Sequence, residues 1–190
     1  MKQVFIIHGW GGSSEKDWIP WAKRVLVQKG FEVHIPTMPD TDNPVIDKWV
    51  GHLAKEIGEI DKDTVLIGHS IGCQTILRYL EGFSTGSRIG KVILIAPWVS
   101  LKNLTSEEEP IARPWEETQI NFDSLKSKAG SYVAVFSDDD PVVPYEENIK
   151  VFKEKLGAQI ISKHKMGHFS QDEGITEIPF LLDLIGTSYQ

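Results

Sequence analysis

The amino-acid sequence predicts an α/β fold in which helices cover both faces of a parallel sheet. Two patterns predict it. Short apolar runs, too continuous for strands with one wet face, recur along the chain. Between them lie stretches whose apolar residues repeat at helical spacing, so strand and helix alternate throughout. The chain has 190 residues, with no repeat, low-complexity tract or linker to divide it, which predicts one domain over 1–190.

Residues 3–7 read as the first strand, and His8-Gly9-Trp10-Gly11-Gly12 follows it. Glycines this dense after a strand predict a backbone that approaches something closely. Trp18, Ala22, Val25 and Leu26 mark a helix with Pro20 in its first turn and Gly30 at its end. Residues 31–35 are a second strand, and Pro36 and Pro39 mark the loop beyond it. Asn43-Pro44 predicts a helix start, cap then proline; Ile46, Trp49, Val50, Leu53 and Ile57 form the apolar face behind it.

Residues 64–67 read as the third strand, and Cys73, Ile76, Leu77 and Leu80 as the buried side of the next helix. Residues 91–96 are a further strand, ended by Pro97. The stretch at about 98–128 is irregular, acidic at Glu107-Glu108-Glu109, and too long for a plain connector. It predicts a lid- or cap-like insertion with some helix. Residues 131–136 are a strand. Tyr145, Ile149, Phe152 and Leu156 give a helix face that stops at Gly157. Residues 158–162 are the last strand, and Ile178, Leu181, Leu182 and Ile185 mark the last helix.

The third strand runs into Gly68-His69-Ser70-Ile71-Gly72, the G-x-S-x-G pattern of a sharp strand-to-helix turn. Such a turn lifts the serine hydroxyl off the sheet, and a side chain at Gly68 or Gly72 would strike its neighbours. Ser70 is therefore a candidate nucleophile. A serine hydroxyl needs a base and a group that orients the base. In this arrangement the acid and then the histidine follow the serine in the chain. The acid lies in Asp138-Asp139-Asp140, directly after a strand. Three adjacent carboxylates repel one another and are not separated electronically. Pro141 biases Asp140 toward extended backbone, and the run from Asp140 to Pro144 has the Asp-x-x-Val-Pro form of an acid loop. This selects Asp140; Asp138 and Asp139 are the fallback acids and otherwise read as solvated turn residues.

His168, after Gly167 in the loop beyond the last strand, is the candidate base; His164 reads as a strand-end surface residue. His8, His34, His52 and His69 precede or adjoin Ser70, and His69 reads as structural. A negative oxygen formed beside Ser70 should meet the backbone amides of Ile71 and Trp10. Trp98, Trp115, Val143 and Phe169 are candidate substrate-pocket residues, the two tryptophans because a lid would place them over the serine.

Other chemistries find no support. A net charge of -7 argues against a nucleic acid or an anionic membrane as partner. No apolar run approaches the ~20 residues of a membrane span, and the run at residues 4–7 is too short for a signal peptide. One cysteine, Cys73, cannot form an internal disulfide, so a reducing, cytoplasmic setting is expected. No phosphate-loop pattern follows the first strand, and no histidine, cysteine or carboxylate set has metal-site spacing; neither metal nor cofactor is expected.

These motifs together resemble the α/β-hydrolase superfamily, and within it the small serine hydrolases of the retinoblastoma-binding protein 9 type. The resemblance spans nearly the whole chain. It rests on His8-Gly9-Trp10-Gly11-Gly12, Met38-Pro39-Asp40, Gly68-His69-Ser70-Ile71-Gly72, Arg113-Pro114-Trp115, Asp139-Asp140-Pro141 and Gly167-His168-Phe169. It implies an α/β/α sandwich with about six mostly parallel strands and a short cap, and Ser70, Asp140 and His168 as a triad. It implies cofactor-free hydrolysis of an ester, thioester or amide in a small-molecule substrate through an acyl-enzyme. Acyl transfer or a lyase reaction on the same fold, or a non-catalytic binding protein, are the alternatives. No Leu-x-Cys-x-Glu segment is present, so the retinoblastoma-protein partner is not carried over.

Overall fold

A computed structural model describes residues 2–186 apart from 59, 85 and 87. The six strands are β1 (Gln3–Ile7), β2 (Glu32–His34), β3 (Val65–His69), β4 (Ile89–Ile95), β5 (Ala129–Ser137) and β6 (Gln159–Lys163). They form one sheet in the order β2-β1-β3-β4-β5-β6, and every neighbouring pair is parallel. The expected parallel α/β architecture is therefore present.

Among the described residues seven α-helices join the strands: α1 (Ile19–Gln28), α2 (Ile46–Glu56), α3 (Ile71–Glu81), α4 (Glu109–Glu117), α5 (Phe122–Leu125), α6 (Tyr145–Val151) and α7 (Phe180–Ile185). Successive strand residues point to opposite faces, which sorts the core into two layers. Phe5, Ile7, Leu66, Leu94 and Phe136 pack with Trp49 and Leu53 of α2 and Leu77 of α3. Val4, Ile6, Ile67, Ile93 and Val135 pack with Ile19, Ala22 and Leu26 of α1 and with Leu181 and Ile185 of α7. With both faces covered, the strands need no polar side, hence the continuous apolar runs.

The starts of α2 and α7 differ from the sequence pattern, and the end of α6 at Gly157 follows it. Helix α2 starts at Ile46 behind an extended Val45, not at Asn43-Pro44. The Pro44 carbonyl instead accepts the indole N–H of Trp115 at 3.0 Å. Helix α6 runs on as a π-turn over Phe152–Leu156, which Gly157 ends in the left-handed conformation at φ 74°. Helix α7 begins after Pro179 rather than at Ile178.

The stretch at 98–128 contains α4 and α5. Trp115 of α4 is buried, edge-on to Trp49. Arg78 of α3 donates to the carbonyls of Trp115 and Thr118 at 2.9 and 2.7 Å. It thereby satisfies acceptors that a helix C-terminus leaves open. Among the described residues no helix is long and apolar enough to cross a membrane.

All six strands end on the same edge of the sheet. The strand order reverses between β1 and β3, and a crevice opens beyond the carboxyl ends of strands at such a point. The loops after β1, β3, β5 and β6 meet there.

Candidate active site

Ser70 stands between β3 and α3 with φ 53° and ψ -121°, a conformation that costs a non-glycine residue about 1–3 kcal/mol. The surroundings enforce it. A Cβ at Gly72 would lie 2.3 Å from the Ile7 carbonyl oxygen, and one at Gly68 would lie 2.8 Å from the Cys73 backbone. The elbow is therefore pressed against β1 and the start of α3 too closely for side chains. The Ser70 amide donates to the Ile95 carbonyl at 2.9 Å, which fixes the turn against the end of β4.

His168 lies beyond β6 with its Nε2 2.9 Å from Ser70 Oγ. Its Nδ1 is 2.8 Å from Asp140 Oδ2. A carboxylate can only accept, so Nδ1 carries the proton and Nε2 offers its lone pair to the serine hydroxyl. Asp140 is 5% exposed, and its other oxygen accepts the amides of Val142 and Val143, each at 2.9 Å. Both carboxylate oxygens are thereby held, and the imidazole plane with them.

The loop that carries His168 is held residue by residue. Asp138 accepts the Lys165 amide at 3.1 Å and faces His164 Nδ1 at 2.6 Å. Ser137 Oγ accepts the Met166 amide at 2.9 Å. Asp139 Oδ1 accepts the Gly167 amide at 2.9 Å and the Ser137 hydroxyl at 2.6 Å. From the other side, Glu173 accepts the His168 amide at 2.6 Å and the Ser170 hydroxyl at 2.9 Å. Asp138 and Asp139 are exposed turn residues, as expected, and their carboxylates also grip the loop that carries His168. Their hydrogen bonds, first to His164 and to Ser137 respectively, hold both carboxyls below the usual range. The bond to Asp138 raises the His164 ring, which is an exposed residue as expected.

His69 lies beneath the base. Its Nε2 meets the His168 carbonyl at 2.9 Å and so carries the proton. Burial first, and then the nearby His168, push its pKa down to about 4. The Asp17 carboxylate at 3.8 Å favours the charged ring, but burial outweighs it. His69 is a neutral structural donor. His8, fully buried, donates from Nδ1 to the Gly9 carbonyl at 2.9 Å, and burial lowers its pKa. A Cβ at Gly12 would lie 2.8 Å from the Gly9 carbonyl oxygen and 3.1 Å from His8 Nδ1. This is the close approach that the glycine-rich stretch predicts.

A cleft of about 220 Å³ opens over Ser70 and His168, bordered by Trp10, Lys16, Asp17, Gln171 and Asp172. Trp10 heads one wall. Ile71 is the first residue of α3, where the amide has no acceptor within the helix. Of the four candidate pocket residues, only Trp98 is hydrogen-bonded to Ser70: its Nε1 donates to Oγ at 3.4 Å. Trp115 packs on α2, and Val143 is buried, meeting the site through its amide. Phe169 packs on Phe180 beneath the sheet. None of the four borders the cleft. The grip of Asp139 and Glu173 on the base loop was missed from sequence; the Ser-x-x-Glu spacing of Ser170 and Glu173, a capping box here, was the available signal.

The six-stranded parallel sheet, with a strained serine between its third strand and the helix that follows, defines an α/β-hydrolase. The chain belongs to the serine hydrolase family, whose pattern matches residues 4–187, and it is a serine hydrolase. It is 33% identical over 189 residues to the Bacillus subtilis (strain 168) protein YdeN, which carries a hydrolase name; the match covers 99% of this chain and 96% of that one. It is 27% identical over 171 residues to the serine hydrolase RBBP9 of Rattus norvegicus, covering 87% and 85% of the two chains. The crystal structure of the ydeN gene product superimposes with a TM-score of 0.89 over 97% of each chain, at 29% identity.

Proposed function

We propose that Ser70, His168 and Asp140 form a catalytic triad and that the protein hydrolyses a carboxylic ester, thioester or amide of a small molecule. The observation that carries this reading is the unbroken chain from Ser70 Oγ through His168 Nε2 and Nδ1 to Asp140, at 2.9 and 2.8 Å.

Ser70 Oγ attacks the carbonyl carbon while its proton passes to His168 Nε2. The carbonyl oxygen becomes an anion and is met by the amides of Trp10 and Ile71, where the loss of one donor costs about 3 kcal/mol in the barrier. Asp140 stabilises the imidazolium without taking its proton. His168 then gives that proton to the leaving group, and the acyl group stays on Ser70. Water attacks next, its proton goes to Nε2, and collapse returns that proton to Ser70 as the acid departs.

The stretch at 98–128 serves as the cap of this single domain, its first residue resting on the nucleophile. The cleft of about 220 Å³ suits a small substrate. Cys73, the lone cysteine, is buried, in keeping with a cytoplasmic setting. Hydrolysis of p-nitrophenyl acetate tests the proposal. Wild-type turnover that disappears in folded Ser70→Ala supports it; turnover retained in folded Ser70→Ala overturns it.

A further inference from the structure

Trp98 has a place in the fold that the triad does not use. It follows β4, is 1% exposed and borders neither the cleft over Ser70 nor the groove beside α5, yet it touches a residue of each. Its Nε1 donates to Ser70 Oγ at 3.4 Å, and Ser70 borders the cleft of about 220 Å³. Its carbonyl accepts Gln74 Nε2 at 3.2 Å, and Gln74 borders a groove of about 910 Å³ on the same side of the sheet as α4 and α5. Ser70 and Gln74 are one turn apart at the start of α3. Trp98 therefore contacts one residue of each space, Ser70 through its indole N–H and Gln74 through its backbone carbonyl.

The two spaces differ in size. The cleft is walled by Lys16, Asp17, Gln171 and Asp172, and falls below the ~300 Å³ at which ligand pockets usually begin. The groove has Val99, Ile120, Phe122 and Val151 along its walls, interleaved with Glu116, Asp123, Lys126, Glu154 and Lys155, and it has room for a longer acyl chain.

Resting on Ser70 as the nucleophile, we propose that the Trp98 indole sets the acyl-length limit of this enzyme. It confines the native site to short acyl groups by separating the cleft from the groove. The backbone around Trp98 is pinned on both sides. Gln74 holds its carbonyl, and Asn148 Oδ1 accepts the Val99 amide at 2.7 Å. A smaller side chain therefore leaves the backbone in place and opens a passage, because a pinned site collapses only partly.

The test is a chain-length profile with a constant leaving group: kcat/KM for p-nitrophenyl acetate and p-nitrophenyl hexanoate, in wild type, Trp98→Phe, Trp98→Leu and Trp98→Ala. The wild type prefers acetate. The hexanoate-to-acetate ratio should rise by about tenfold or more in Trp98→Ala and by less in Trp98→Leu. Trp98→Phe keeps most of the volume but loses the N–H, so it should slow both esters while leaving their ratio near the wild-type value. A ratio unchanged in Trp98→Leu and Trp98→Ala, with both still labelled by a fluorophosphonate, overturns the proposal. If Trp98→Ala does not fold, Trp98→Leu alone decides. A wild type that the probe does not label overturns the Ser70 reading, and this inference with it.

Discussion

The Asp139 carboxylate and the Gly167 amide are 2.9 Å apart, and this bond ties the loop that carries Asp140 to the loop that carries His168. It belongs to a ladder in which Ser137, Asp138, Asp139 and Asp140 engage Met166, Lys165, Gly167 and His168 respectively. Asp139 touches no reacting atom in the scheme, so its effect passes through the placement of His168. Asp139→Ala is expected to lower kcat by about 10–100-fold with little change in KM, as a displaced catalytic group does. Asp140→Asn, which forces the wrong imidazole tautomer, is expected to cost about 10⁴-fold. Steady-state kinetics on one ester compares the two, and equal losses would contradict the division of roles.

The Asp138–His164 pair makes stability depend on pH in a definite direction. The folded His164 ring has a pKa above 6.5, so its contribution is fully present below that value and is lost as pH rises through the folded pKa. The folded Asp138 carboxyl lies below 3.8, so its contribution is present above that value and is lost as pH falls through the folded pKa. The pair contributes most between about pH 4 and 6.5. The Tm difference between wild type and His164→Ala should therefore be larger at about pH 5.5 than at about pH 8.5. Thermal melts at the two pH values check this, and an equal difference at both would count against it.

The elbow glycines are steric requirements. A Cβ at Gly72 would enter the Ile7 carbonyl oxygen at 2.3 Å, and that oxygen belongs to a central strand that cannot yield. Gly72→Ala is expected to destabilise the protein by about 3 kcal/mol or more. Gly51 supplies the contrast: it lies inside α2, and an added Cβ would meet nothing within 4 Å. Gly51→Ala should stabilise by about 0.8–1 kcal/mol through helix propensity alone. Urea unfolding of both variants measures the opposed signs.

These contrasts show which parts of the molecule can be read from the chain. The buried strands were legible because a strand covered on both faces carries its own apolar run, as at Val92 to Ile95. Ser70, Asp140 and His168, which the fold brings together, each sit in a loop whose neighbours, Gly68 and Gly72, Pro141, and Gly167, carry a local signature. The start of α2 was misplaced because the Pro44 carbonyl is taken by Trp115, 71 residues away, a partner that local capping rules do not see. Helix α4 was hidden because Pro114 interrupts it and Arg78 of another helix secures its end. The grip of Asp139 on Gly167 depends on β5 and β6 lying side by side, a relation that exists only after the sheet has formed.

The central claim is that Ser70 is the nucleophile, and the most direct measurement is the site of covalent modification. Wild-type protein treated with a fluorophosphonate should gain the mass of one adduct, and peptide mapping should place it on Ser70. Folded Ser70→Ala should gain none, and His168→Ala should react far more slowly, while His164→Ala reacts as the wild type does. An adduct on another residue, or undiminished labelling of folded Ser70→Ala, would contradict the account.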